Sequence, residues 1–550
     1  MSVEIPSPPC SRFLLFIPLA AALWSCATLE PTRTDPPHAA APEAPGRVRN
    51  VILMIGDGMG PQQLGLLFEY AHRAPASIYK DRPVALEQVM DDGRVGLSRH
   101  GPAQHLVVDS ACSATQLAIG QEALPEMIGL NADGDPVETI LEKAKRAGKA
   151  TGLVSDTRLT HATPAAFAAH QPYRNLENAI AVDMLATAPD VMLSGGLRHW
   201  VPGSAAREGS PAHEKLSALV GDALRVTSRR EDERDLLAEA RAAGYEVVFE
   251  RSALAQVEGG RVLGLFAHSG MMDGLRNTRA KADPERTEPS LAEMTDQALD
   301  ILSRDEDGFF LMVEGGQIDW AGHNNDVGLL LHEMIKFDDA VRVVHAWARG
   351  REDTLVIITA DHETGGLGLS YSGASLPEPR PLPGAAFKER PYKANYNYGA
   401  LSTLDRLYNQ QKPLQKIVEE HGASDDRSPE ALARRVREYT GFSLSVDGAR
   451  AVLASEPNPY LTPGHPYLHA ETVPRVDDLE AFFIFAEEVR GNLLARQLAA
   501  QQNVVWSTAT HTHTPVAVIT LGPPAATRPF GGLLHHTELG RLMERALLGP

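Results

Sequence analysis

Four apolar runs in this sequence end in groups that could do chemistry. Asp57 follows residues 51–55, and Asp109-Ser110 follows residues 106–108. Glu314 follows residues 310–313, and Asp361-His362 follows residues 355–360. Short apolar runs of this kind read as strands buried on both faces. Open α/β sheets bind ligands just outside the carboxyl ends of their strands. Carboxylates, a hydroxyl and an imidazole at equivalent strand ends would therefore converge, although hundreds of residues separate them. Asp319 and His323 stand four apart and share a face if their segment is helical. His511 lies just before the last apolar run, residues 516–521. Asp with His suits Zn2+, whereas Asp, Glu and a hydroxyl suit Mg2+. The set divides into a nitrogen-rich group and an oxygen-only group.

Each piece alone has an ordinary reading. Gly56-Asp57-Gly58 can be only a turn. A serine after Asp109 at a helix start can belong to an N-cap. Asp361-His362 can be a structural pair, and Asp319 with His323 a solvated helix face. Glu314 resists such a reading, because a carboxylate directly after a buried strand needs a partner. Repetition at strand after strand is what points to a catalytic site.

The elements between these residues give the frame. Residues 137–147 have helical periodicity, Gly148 is a candidate C-cap, and residues 150–155 form the next apolar run. Residues 245–250 and 263–266 read as further short strands. Ser290-Leu-Ala-Glu293 is a capping box that opens a helix to about residue 302. Residues 309–313, 354–360 and 516–521 are buried-strand runs, and residues 537–548 a closing helix. Strands alternating with helices predict an α/β fold with a large, mostly parallel central sheet flanked by helices. Residues 370–503 break the rhythm. They begin rich in Pro and Gly, turn helical and charged, and are expected to form a partly helical insertion or cap. The catalytic domain is then expected over residues 48–369 and 504–550.

The chain has 550 residues and a formal net charge of -19. Nucleic acid and anionic membrane surfaces repel such a protein, so no nucleic-acid-binding module is expected. A small anionic substrate is still compatible if bound metals supply a local cationic site. Residues 13–24 are an apolar run of signal-peptide length, ending in Leu23-Trp24-Ser25-Cys26. Residues 1–26 are read as a lipoprotein-type signal, with Cys26 as the lipidated residue and the chain exported to the periplasm or cell surface. Plain secretion and an uncleaved anchor are the alternatives. Residues 27–47 read as a flexible tether rich in Pro, Ala and Thr. Of the three cysteines, Cys10 would leave with the signal and Cys26 would be acylated. Cys112 would remain unpaired, so no disulfide framework is expected.

Six stretches, in order, resemble the alkaline phosphatase family. They are NVILMIGDGMG at 50–60, DSACSATQLAIG at 109–120, THATPAAFAAH at 160–170 with Arg174, FFLMVEGGQIDWAGH at 309–323, TADHETGG at 359–366 and HTHTPVAV at 511–518. The resemblance implies a metal-dependent hydrolase of small phosphate monoesters, with two zinc ions and one magnesium ion. It implies Ser110 as the nucleophile that becomes a phosphoserine, and Arg174 as the clamp on the phosphate oxygens. It implies Asp319, His323 and His511 around the first zinc, and Asp57, Asp361 and His362 with Ser110 around the second. Asp57, Thr163 and Glu314 match its magnesium site. Co2+ or Mg2+ can substitute at such zinc sites, and a homodimer is common in the family.

His161 and Trp320 occupy places beside the metals where branches of the family differ. His161 is expected to partner a ligand or to reach Mg2+ through water, the former being favoured, and Trp320 to wall the pocket. His513 stands where glycine is usual and is an alternative ligand to His511, since strand alternation points both to one side. Cys112 is expected to be a small buried residue. Ala267 falls where the branch with an added calcium site has an acid, so no calcium is expected. Sulfatases of the same superfamily need Pro and Arg after the nucleophile, which Ser110-Ala-Cys-Ser-Ala lacks. Phosphodiesterases usually carry a Thr nucleophile without the glutamate and arginine found here. A tethered, non-catalytic metal- or phosphate-binding protein is the remaining rival.

Overall fold

The computed structural model describes residues 46–221, 224–477 and 489–549. The expected signal segment at 1–26, Cys26 and nearly all of the tether lie outside them. The strands begin with β1 (Asn50–Gly56), β2 (Arg94–Arg99), β3 (Ala150–Arg158), β4 (Val191–Gly195), β5 (Tyr245–Val248), β6 (Arg261–Leu265), β7 (Phe309–Gly315) and β8 (Thr354–Thr359). Short strands follow: β9 (Glu363–Thr364), β10 (Leu367–Leu369), β11 (Ser455–Pro457), β12 (Thr472–Pro474), β13 (Val504–Trp506) and β14 (His511–Thr512). β15 (Val516–Leu521) and β16 (Gly532–His535) complete the described strands.

Ten strands form one sheet in the order β16-β2-β15-β8-β1-β7-β3-β4-β6-β5. β15 is antiparallel to its neighbours β2 and β8, and the other pairs are parallel. The cause is visible in β1, where every residue is buried. Ile52 and Met54 join one apolar core, and Val51, Leu53 and Ile55 join a second on the other face. β7 divides in the same way, with Phe309, Leu311 and Val313 on one side and Phe310 and Met312 on the other. Successive strand side chains leave on opposite faces, so continuous apolar runs need a helical layer on each face. Helices Pro61–Arg73, Leu291–Leu302 and Val327–Ala348 supply one layer. Ser110–Ile119, Ile140–Arg146, Glu177–Thr187 and His536–Leu548 supply the other. Each large apolar side chain so buried contributes about 1.5–3 kcal/mol.

The helix over Leu291–Leu302 opens with the expected Ser290–Glu293 capping box. One expectation fails. Residues 106–108 do not form a strand: Leu106 is 89% exposed and Val107 44%. β2 has already ended at Arg99, and residues 106–108 have no ladder partner, so they run as a loop into the helix that Ser110 begins.

Residues 370–503 leave and return through paired strands, with Leu369 of β10 opposite Val504 of β13. The excursion is thus closed at its base. It holds helices Ser402–Tyr408, Leu414–Gly422, Pro429–Thr440, Val446–Leu453 and Val489–Gln502, and the ribbon β11–β12. Leu407, Ile417, Leu432, Val452 and Leu498 extend the first core, and Val473, Val476 and Val489 form a small separate cluster with Ala509. Among the described residues, no helix is long and apolar enough to cross a membrane.

Candidate active site

β8, β1, β7 and β3 are neighbours at the middle of the sheet, and their carboxyl ends carry the site. Asp57 follows β1, Glu314 is the penultimate residue of β7, and Asp361-His362 follows β8. β15 runs the other way, so its beginning lies at this same edge. That orientation lets His511, which precedes it, reach the carboxyl ends. β14 fixes it there: His511 pairs with Thr364, and Thr512 with Glu363.

Three groups of potential ligands converge. Each contains ligand atoms within 4.8 Å of one another: Asp319, His323 and His511; Asp57, Asp361 and His362; Asp57, His161 and Glu314. In the first, helix Gln317–His323 places Asp319 and His323 one turn apart. His323 Nδ1 donates to the Ala509 carbonyl at 2.7 Å, and His511 Nδ1 to the Val108 carbonyl at 2.9 Å. The two Nε2 atoms, 3.0 Å apart, therefore face each other and the Asp319 carboxylate, at 3.3 and 3.4 Å. Imidazoles anchored through Nδ1 and converging through Nε2 form a donor set for a divalent cation. Thr364 Oγ1 donates to Asp319 Oδ1 at 2.5 Å and fixes that carboxylate.

The second group surrounds the candidate nucleophile. Ser110 Oγ is buried, 3.3 Å from His362 Nε2. Asp361 Oδ1 accepts from the Gly58 and His362 amides. The third group is oxygen-rich. Glu314 Oε2 accepts from Ser155 and Thr157 hydroxyls. Both oxygens of Asp57, Oε1 of Glu314 and Oγ1 of Thr163 are buried with no hydrogen-bond partner. A His161 ring nitrogen lies within 4.8 Å of oxygens of Asp57 and Glu314, a place that fits either expected role, partner of a ligand or contact to Mg2+ through water. Its ring meets Trp320 edge-on at 5.9 Å.

Charge makes the case for cations stronger. Burial, then Asp361, Asp319 and Glu314, push Asp57 well above the usual carboxylate range. Burial pushes Glu314 up to about 8, and burial together with Asp319 pushes Asp361 up to about 6. Burial raises Asp319 too, but His323 and His511 overcome it and hold that acid well below its ordinary value. Several carboxylates that resist ionising in one buried space, with oxygens lacking donors, fit divalent cations.

Arg174 enters from the side. Its Nη1 donates to Asp109 Oδ2 at 2.8 Å, and its Nη2 lies 3.3 Å from His161 Nε2. Asp109 also caps the Ser110 helix, accepting from the Ala111 and Cys112 amides. The sequence groups Asp109 with Ser110 at one chain position and assigns it no partner. Its pairing with an arginine 65 positions away had no local signal. His513 is exposed and outside all three groups, because β14 ends at Thr512 and alternation stops with it. Cys112 is buried, its thiol donates to the Ala123 carbonyl, and burial pushes its pKa up, which suits a packing role.

Ser110, His161, Arg174, Asp319, His323 and His511 line a cavity of about 990 Å3. The family model described as alkaline phosphatase matches residues 48–426, more than half of the chain. The chain belongs to the alkaline phosphatase family. It is 36% identical over 329 residues to alkaline phosphatase 3 of Bacillus subtilis, covering 59% of this chain and 63% of that one. It is 35% identical over 350 residues to the repressible alkaline phosphatase of Saccharomyces cerevisiae, covering 60% and 57%. The matches thus span less than two thirds of either relative. The solved alkaline phosphatase of Thermus thermophilus is similar over 94% of this chain and 95% of its own, with a TM-score of 0.71 at 27% identity. The alkaline phosphatase of a Shewanella species is similar over 90% and 99%, with a TM-score of 0.64 at 26% identity. The family match reaches past residue 370 into the segment the motifs did not cover.

Proposed function

We propose that this family member is a working alkaline phosphatase that hydrolyses small phosphate monoesters through a phosphoserine on Ser110. The observation that carries the reading is the meeting of Ser110 Oγ, the Asp319–His323–His511 group and the Asp109-held Arg174 in one cavity, with His362 of the second group 3.3 Å from Ser110 Oγ. Asp319, His323 and His511 would hold one zinc ion, and Asp57, Asp361 and His362 with Ser110 a second. Asp57, Thr163 and Glu314 would hold magnesium, with His161 at its edge. When bound, these ions favour the ionised nucleophile and offset charge on the entering and leaving oxygens.

The residues of the chain do the rest. Arg174 presents two N–H groups in a plane, which matches two non-bridging phosphate oxygens. Asp109 fixes that plane and caps the helix whose N-terminus faces the phosphate. Ser110 Oγ attacks phosphorus, the alcohol leaves, and phosphate becomes esterified to Ser110. Water then cleaves that ester and regenerates the hydroxyl. Trp320 forms one wall of the cavity.

The test is turnover of a chromogenic monoester such as 4-nitrophenyl phosphate. Turnover should cease with chelator, return with Zn2+ and Mg2+, and be largely lost in Ser110→Ala. Metal binding without turnover would support the non-catalytic binder, and hydrolysis of only a diester or sulfate a sister activity. We further propose export with acylation of Cys26, followed by a flexible tether. Cys26→Ser should then move the protein from the membrane fraction to the soluble one.

A further inference from the structure

The active-site cavity has an outer half that the phosphate chemistry does not use. Gln415 and Glu419, on helix Leu414–Gly422, and His465 and Tyr467 line it, all from the segment over residues 370–503. The sheet domain adds Glu126, Tyr173 and Trp320 to the same cavity. Burial and Asp109 push the Glu126 carboxyl upward, while Arg174 and His465 pull against them. His465 and Glu126 line the same cavity, so residues 370–503 and the sheet domain share one mouth.

The charges in the lining do not balance. Arg174 is paired with Asp109 at 2.8 Å, and Arg158 with Glu177 at 2.8 Å. Asp319 is engaged by His323 and His511. Glu126 and Glu419 remain. The cation nearest Glu419 is Lys416 at 3.6 Å, whose side chain is 56% exposed and does not line the cavity. The inner cavity can receive a phosphate, whereas the outer cavity carries two carboxylates and three aromatic side chains. A cation on an apolar body is attracted both by carboxylates and by aromatic faces.

We propose that this outer wall selects phosphate monoesters whose alcohol carries a fixed positive charge on a compact apolar body, an alkylammonium phosphate. Glu126 and Glu419 supply the field, and Tyr173, Trp320 and Tyr467 the aromatic surface. The inference rests on the phosphatase reading above, and its test separates the two.

Choline phosphate and 3,3-dimethylbutyl phosphate have nearly the same shape and differ in the positive charge. The intact metal-loaded enzyme should favour choline phosphate in kcat/KM by about five- to tenfold at low ionic strength, less at high salt. Glu126→Gln with Glu419→Gln should bring that ratio to about one, and Tyr467→Ala should lower it. Both glutamates are exposed, so these changes do not threaten folding. A wild-type ratio at or below one, or a ratio unmoved in the double variant, overturns the proposal. Calorimetric binding of the two esters to metal-loaded Ser110→Ala protein reads the same ratio without turnover. A chain that hydrolyses neither ester would contradict the phosphatase reading and still leave this one decided.

Discussion

At the scale of single residues, Asp109 links three functions. It caps the Ser110 helix, accepts from the Glu126 amide at 2.8 Å, and holds Arg174. Asp109→Ala should free the guanidinium and raise KM, lowering kcat/KM for a chromogenic monoester by about 10- to 100-fold. Steady-state kinetics on metal-loaded protein checks this. Glu177 gives a pH prediction. Burial alone would raise it, but Arg158, His199 and hydrogen bonds from Arg158 and Thr160 hold it down at about 2. A carboxyl depressed below its unfolded value stabilises the fold where it is ionised. That contribution is fully present above about pH 4.5 and is lost as pH falls towards 2. Glu177→Gln should therefore lower the urea midpoint at pH 7, and the gap to wild type should narrow below pH 4.5. The candidate ligands stand out in the sequence because each adjoins an apolar run or a helix. Asp109 with Arg174 and Glu177 with Arg158 do not, since pairing across loops leaves no periodic trace.

At the scale of elements, turns and buried helix faces hold the ligands in place. Gly58, after β1, has φ +74°, and a Cβ there would lie 2.8 Å from Asp319 Cα and 2.9 Å from Thr364 Oγ1. Gly58→Ala should cost about 1–2 kcal/mol for the backbone conformation and displace Asp319, so that bound metal measured by mass spectrometry falls together with kcat. Helix Val327–Ala348 carries Lys336, whose Nζ sits 2.9 Å from Asp156 Oδ2 and 2.5 Å from Glu333 Oε2, all three buried. Asp156 Oδ1 in turn accepts from the Gly316 amide, two residues past Glu314. Lys336→Met would strand two buried acids and should destabilise the protein by about 3–5 kcal/mol in chemical denaturation. Central strands such as β1, β7 and β8 could be read from continuous apolar runs. β2 could not, because Arg94–Arg99 alternates near the sheet edge and carries arginine at both ends. Residues 106–108 are apolar enough for a strand, yet they have no ladder partner and run as a loop.

At the scale of the whole molecule, the sheet concentrates carboxylates at one edge, in a chain already at -19. Cations bound there should stabilise the fold by mass action. Removal of metal by chelation should lower Tm by at least about 5 °C, and restoring Zn2+ and Mg2+ should reverse the change. Scanning calorimetry gives the answer. The segment over residues 370–503 breaks the strand–helix rhythm in the sequence, and its strands β11 and β12 stand outside the ten-stranded sheet. Its placement of His465 and Tyr467 in the catalytic cavity was not visible, because tertiary contact alone brings them there.

In the proposed reaction phosphate passes through Ser110. The most direct measurement is mass spectrometry of protein quenched in acid during turnover of 4-nitrophenyl phosphate. Phosphate should appear on the peptide carrying Ser110, and none on that peptide in Ser110→Ala. Full turnover in Ser110→Ala, or turnover of the wild type with phosphate on a different residue, would contradict it.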